Sequence, residues 1–345
     1  MRTFCFHALF GVLALAALAA CTSGGDDAAA EAPDVSDIAV ELAVERFEHD
    51  LYRAAQDSTR NGAAALRAAY PVFFDSVWVE IMAPGAPAGF DSMLVSAFRT
   101  EPTLVRVLDS VRAAFPATGE APAWQRDLER ALRYARYYFP EEPTPRVVTY
   151  LSEFSLGGFS FGDSLVGIGL DFYLGSGFPG YDPNVFPRYI QRTMNADHVA
   201  PRAVEAWLGN LLGEAPGPRM LDRMVHNGKL LYLKSRLLPH VADTAVLGFG
   251  ESSLAWLRDN EQQLWAHYLD QELLYETKGS RIGKLVGPSP NAPGMPPEAP
   301  GANANWVGMR IVEQYVARRP GLTMAELIAE RDAQRLLTES KYKPR

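Results

Sequence analysis

Residues 146–181 read RVVTYLSEFSLGGFSFGDSLVGIGLDFYLGSGFPGY, and the fold turns on how they are read. Val147, Thr149 and Leu151 alternate with Val148, Tyr150 and Ser152, a β-branched and aromatic pattern that predicts a strand. Phe159 and Phe161 carry a second apolar run up to Gly162-Asp163, a dipeptide suited to a tight hairpin turn. Leu165 to Leu170 then returns as a strand too continuously apolar to have one face in water. It ends on Asp171, followed by Phe172, Tyr173 and a corner rich in glycine at Gly175, Gly177 and Gly180. A carboxylate delivered by a buried hairpin beside such loops is a place for a site. The plainer role for Asp171 is that of acceptor in a turn or helix cap.

Helices surround this segment on both sides. Before it, Ile38, Val40, Leu42 and Val44 alternate with polar and small residues, which predicts a half-buried strand over 38–44. Apolar residues at spacings of three and four predict helices over 62–82, 92–115 and 123–139, the first interrupted near Tyr70 by Pro71. After it, short helices are expected over 187–194 and 201–212, then long ones over 219–237 and 252–274. Residues 287–301 hold six prolines and form a loop or lid, and helices over 305–317 and 323–337 close the chain. Thr323 and Glu326 make a capping box for the last of these. The expected class is α+β, a mainly helical body on a small, mostly antiparallel sheet. One domain covers residues 36–343, because no linker-like stretch before Gly287 is long enough to separate two cores.

The whole chain has 345 residues, is 48% hydrophobic and carries a net charge of −8. That charge argues against a phosphate-backbone partner, which needs a basic face, so no nucleic acid is expected. The only cysteines are Cys5 and Cys21, so an internal disulfide in the body and a cysteine-rich zinc site are both excluded. Met1-Arg2, the apolar run 8–20 and Leu18-Ala19-Ala20-Cys21 are similar to the signal peptide and lipobox of bacterial lipoproteins. The resemblance implies cleavage after residue 20 and lipidation of Cys21 with diacylglycerol and a palmitate-class acyl chain. Several such chains, at about 0.8 kcal/mol per buried methylene, hold a protein on a membrane durably. Residues 21–35 then form a flexible, lipidated tether, too poor in apolar surface to fold. Thr22, where a retention signal would place aspartate, points to the outer membrane.

No familiar catalytic signature is present. The chain lacks His-Glu-x-x-His, Gly-x-Ser-x-Gly and a phosphate loop, and His49, His198, His226, His240 and His267 are scattered. No cofactor and no metal is expected. The polar residues that stand out are Asp171, Lys229, Tyr232, Asn260 and Glu261. Gly228 lies in mid-helix at a cost of about 1 kcal/mol against alanine, which close approach of another backbone would explain. Lys229 beside it would then be buried and paired with Asp171 or Glu261; the alternative is a surface lysine. Asp171, His226, Glu261 and His267 are a candidate ligand set for a metal-dependent hydrolase. Tyr173, Phe178 and Tyr181 are candidates for a cell-wall glycan- or peptide-binding corner, with core packing as the alternative.

Over nearly its whole mature length the sequence resembles the gliding-motility lipoprotein GldB family of the Bacteroidetes. The resemblance rests on Arg46-Phe47 with Asp50-Leu51, Tyr70-Pro71 with Phe73-Phe74, and the hairpin ending Gly167-Ile168-Gly169-Leu170-Asp171. It continues through Gly228-Lys229 with Leu231-Tyr232, Asn260-Glu261 with Trp265, Trp306-Val307-Gly308, and Ser340-Lys341-Tyr342-Lys343-Pro344. It implies a non-enzymatic, lipid-anchored protein of the cell envelope, facing the periplasm or the surface. Protein partners would lie in the gliding apparatus or the linked secretion machinery. The family is distantly similar to zinc-peptidase-like proteins, whose ligand motif this chain lacks, so a degenerate peptidase-like fold is implied. The 287–301 loop and the alanine-rich tether depart from the family pattern.

Overall fold

The computed structural model describes residues 32–345 apart from Ser58, Arg60 and Asp163. The signal peptide, Cys21, most of the tether and the second residue of the Gly162-Asp163 turn lie outside the described residues. Strand β1 (Val44–Arg46) leads into α1 (Phe47–Ala55), α2 (Gly62–Ala69), a π-helical segment (Phe74–Val79) and α3 (Glu80–Met82). Then come α4 (Phe90–Thr100), α5 (Pro102–Ala114) and α6 (Ala123–Tyr138). The central strands are β2 (Arg146–Tyr150), β3 (Gly158–Phe161) and β4 (Leu165–Gly169), with a 3-10 turn over Leu170–Tyr173. The second helical part runs α7 (Arg188–Gln191), α8 (Val199–Leu212), α9 (Met220–Leu237), α10 (Asp243–Leu247), α11 (Glu251–Asp259) and α12 (Glu261–Asp270). It ends with α13 (Gly279–Val286), α14 (Asn303–Ala317), α15 (Met324–Ala329) and α16 (Ala333–Ser340).

The class is α+β, with a four-stranded sheet in the order β1-β2-β4-β3. Two of its three pairings are parallel, β1 with β2 and β2 with β4, and only β3 and β4 form the antiparallel hairpin. The expected mostly antiparallel sheet is therefore corrected to a mixed one. Helices α1–α6 act as a long crossover that lets β2 run alongside β1, and β4 slots between β2 and the edge strand β3. Every residue of β4 is buried, as its unbroken apolar run requires.

The strand expected over 38–44 shrinks to three residues. Exposure does alternate along 38–44, yet no ladder forms before Val44. Extending the Val44–Val147 register backwards sets Val40 and Leu42 opposite Pro143 and Pro145, which have no N–H to offer. Three expected helices are also broken. Glu101 is extended ahead of Pro102, which starts α5; Asn260 separates α11 from α12; Glu330 is extended and Asp332 caps α16. The Thr323 capping box forms, with Glu326 N donating to Thr323 Oγ1 at 3.1 Å and Thr323 N to Glu326 Oε2 at 2.9 Å. The 287–301 loop contains no helix or strand; it closes on itself through Ala292 N to Ala299 O and buries Ala299 completely.

Residues 34–345 pack as one unit. On one side of the sheet, Phe73 contacts Tyr150 and Phe159, while Phe47 gathers Tyr70, Phe73, Phe74 and Trp78. Elsewhere Val147 and Val166 share an apolar space with Leu128 and Leu132 of α6 and Ala203, Val204 and Trp207 of α8. Such aromatic clusters carry large buried area plus about 1 kcal/mol per well-oriented pair, so they set the N-terminal half around α1.

Candidate functional site

Asp171 is fully buried at the end of β4. Its carboxylate accepts from the backbone N–H of Phe154 at 2.7 Å and of Ser152 at 3.2 Å, with the Ser152 hydroxyl at 3.3 Å. These bonds clamp the loop after β2, where Glu153 and Phe154 are in the left-handed region at φ of 51° and 60°. Neither residue is glycine, and such a conformation costs about 1 kcal/mol or more apiece. Burial pushes the Asp171 carboxyl up to about 6, against the lowering effect of its N–H donors. The clamped Phe154 ring meets Phe172, Phe178, Tyr181 and Phe186. Tyr181 is buried, donates to the Asp171 carbonyl and meets Phe178 edge-on, while Tyr173 donates to the Gly157 carbonyl, so these rings brace the turn.

Gly228 and Gly308 are where α9 and α14 cross. A Cβ on Gly228 would stand 2.2 Å from the Gly308 carbonyl carbon, and one on Gly308 would stand 1.8 Å from the Met224 carbonyl oxygen. The glycine in mid-helix has the cause its sequence suggested, an approaching backbone. Lys229 is buried as expected, but its partner is different. Neither Asp171 nor Glu261 meets it; Nζ donates to the carbonyls of Glu330 at 2.8 Å and of Leu327 and Ile328 at 3.4 Å. The break between α15 and α16 leaves those carbonyls without helical donors, and the lysine caps them.

Burial, with help from Arg331, lowers the Lys229 pKa from 10.5 to about 8. Between those values the unfolded chain binds more protons than the folded one, so this group's contribution to stability rises with pH from about 8 to 10.5. Lys229→Met keeps the stem and orphans the carbonyls, at an expected loss of about 2 kcal/mol near neutral pH. Thermal melts should show the wild type gaining further on this variant as the pH rises from 8 to 10; parallel curves would refute it.

Glu261 anchors the C-terminal end of the chain. Its Oε1 accepts from the Tyr342 hydroxyl at 2.7 Å, Arg310 Nε lies 3.7 Å from Oε2, and the Trp265 ring meets Tyr342 edge-on at 5.0 Å. Asn260 Nδ2 donates to the Trp256 carbonyl at the α11–α12 break. Tyr232 is half-buried in α9, near Arg236, Tyr138 and Glu313, and burial raises its hydroxyl pKa. The five polar residues are thus not one constellation: Tyr232 and Glu261 share only the neighbouring Arg310–Glu313 pair, and the others are separate structural fastenings. Asp171, His226, Glu261 and His267 are not brought together either. Among the described residues no three His, Cys, Asp or Glu side chains are grouped to hold an ion.

The structure assembles a different polar group, in a cleft of about 370 Å³ between the turn after β4, at Phe172 and Tyr173, and helices α8 and α9. Lys234, nearly fully buried, places Nζ 2.7 Å from Glu205 Oε2, and Arg202 Nη1 lies 2.5 Å from Glu205 Oε1. Burial alone would raise the Glu205 carboxyl, but Lys234 and Arg202 outweigh it and hold it at about 2. Burial lowers His198 to about 4, so its imidazole is neutral near pH 7. An acid so firmly ionised is a poor proton acceptor at neutral pH, and the arrangement suits charge recognition better than acid–base work. Sequence reasoning missed Arg202, Glu205 and Lys234. The legible part was an Arg and a Glu three apart on α8; their meeting with Lys234 depends on how α8 packs against α9.

Comparison with known proteins supplies the remaining observation. The family model for gliding motility protein GldB matches residues 28–344. The chain belongs to the GldB family. No curated protein and no solved structure matches it. The residues that carry the GldB resemblance are, in space, the fastenings just described. Gly228 meets Gly308, Glu261 and Trp265 meet Tyr342, and the hairpin ends on the Asp171 clamp. In this GldB-family chain the quoted elements therefore build the scaffold, while Arg202, Glu205 and Lys234 of the charged cleft are not among them.

Proposed function

We propose that the chain is a non-enzymatic, lipid-anchored component of the cell envelope that serves the gliding apparatus or its linked secretion machinery. GldB-family membership over 28–344 carries this reading. The anchor is Cys21, behind residues 1–20 as signal peptide and before the tether 21–35, with residues 36–343 as the working domain. No helix among the described residues is long and apolar enough to cross a membrane. The outer membrane is the favoured location because Thr22 follows the cysteine. Binding, not turnover, is the favoured role, because the cleft beside α8 and α9 holds a carboxylate ion-paired to Arg202 and Lys234 and a neutral imidazole.

In a motile host that carries this chain, clean deletion should abolish colony spreading or impair secretion, and the wild-type chain should restore it. Cys21→Ala should release the protein from the membrane fraction and restore neither. Normal spreading and secretion after deletion would overturn the reading; full restoration by an unanchored variant would overturn the role of the anchor.

A further inference from the structure

The charged cleft does not end at α8. It continues past Ile190, Thr193 and Gly248 into a second cleft of about 490 Å³, between α7, the start of α11 and the proline-rich loop. Along both clefts the lining carries Arg188, Arg192, Arg202 and Lys234 against the single carboxylate of Glu205. Among the described residues neither Arg188 nor Arg192 has a carboxylate within ion-pair distance; Arg192 spends one N–H on the Gly248 carbonyl at 2.8 Å. His198 adds no charge near neutral pH, because burial holds it at about 4. A surplus of three positive charges lines one groove of a chain whose net charge is −8. Cations left unpaired in a concave surface raise the local concentration of anions and speed their capture.

We propose that this groove binds an extended acidic peptide segment of a protein partner. Arg188 and Arg192 line the second cleft while Arg202 and Lys234 meet at Glu205 in the first, and cations in two places along the groove fit several spaced carboxylates better than one phosphate. Between them Ile190, Leu231, Leu247 and Phe249 offer apolar surface for intervening side chains. Pockets for alternate side chains along a charged track are how extended peptides are commonly read. The proposal deepens the binding role proposed above by naming the chemistry of the partner.

The test is a fluorescence-anisotropy titration of the full-length chain in nonionic detergent, at low salt, with a labelled nonapeptide of alternating glutamate and leucine. Saturable binding is expected, weakened about tenfold in Arg188→Glu/Arg192→Glu, and weakened again when salt is raised past the point where surface charges are screened. Both arginines are exposed and Arg192 gives up only its bond to the Gly248 carbonyl, so the double variant should stay folded with a small drop in melting temperature. Failure of the peptide to bind, equal binding by the double variant, or equal binding of a lysine–leucine peptide would overturn the proposal. So would complete displacement by millimolar inorganic phosphate, which would mark a site for a point anion, or binding of polygalacturonate in place of the peptide. The titration needs no motile host, so its failure would leave the envelope role standing.

Discussion

Replacing Gly308 with alanine is expected to destabilise the protein by about 3 kcal/mol or more, the upper end of what overpacking costs. The added methyl would stand 1.8 Å from the Met224 carbonyl oxygen, a backbone atom that no rotamer change can move aside. Alanine's better helix propensity offsets only about 1 kcal/mol. Gly228→Ala should behave similarly, because its methyl would meet the backbone of Gly308 and Met309 at 2.2 and 2.4 Å. The two effects should not add. Once one methyl has forced α9 and α14 apart, the second meets less resistance, so the double variant should lose clearly less than the sum. Denaturant melts of the three variants measure this. A Gly308→Ala protein at least as stable as the wild type would mean that the two helices do not meet at these glycines.

The second large effect is expected at Asp171. Alanine there leaves the N–H groups of Ser152 and Phe154 without their acceptor inside the protein, and it frees a loop that holds two residues in the left-handed region. An orphaned buried donor costs about 1–3 kcal/mol, so a loss of about 3 kcal/mol is expected. Asparagine at this position separates charge from shape. With its carboxyl pushed up to about 6 from 3.8, the folded protein holds a proton over a pH range where the unfolded chain has released it. Stability contributed by this group therefore rises as the pH falls from about 6 toward 4, and the ionised form is penalised above 6. The wild type should gain on Asp171→Asn as melts are moved from pH 7 to pH 5. A constant difference across that range would show that Asp171 is not buried as a titrating acid.

What could be read from the sequence was what a local pattern dictates. The β4 run announced a strand buried on both faces, Pro71 a helix break, Thr323 with Glu326 a cap, and Gly228 a close approach. What could not be read was who meets whom. Lys229 was legible as buried, but its partners are backbone carbonyls freed by a helix break at Glu330, and backbone acceptors leave no trace in side-chain identity. The same limit hid the parallel pairing of β1 and β2, since alternation along 38–44 is equally compatible with either direction and the crossover alone decides. Pro102 carried a signal for the end of α4 that periodicity across 92–115 obscured. The charged groove was the least legible, because Arg188, Arg202 and Lys234 are spread over three helices and become neighbours only in the folded body.

The crossing of α9 and α14 also fixes when this body can close. Synthesis runs from the N-terminus, so α9 is finished long before α14, which starts at Asn303, leaves the ribosome. Throughout that interval the seam around Met224, Val225 and Gly228 has nothing to dock against. Contacts between segments so distant along the chain form slowly, and an open apolar seam on a nascent chain is what chaperones capture and proteases find. A message cut short before Asn303 would therefore yield no smaller working body, only a chain bound for degradation. Quality control of this protein is in effect a check that its last 43 residues, from Asn303 on, have arrived.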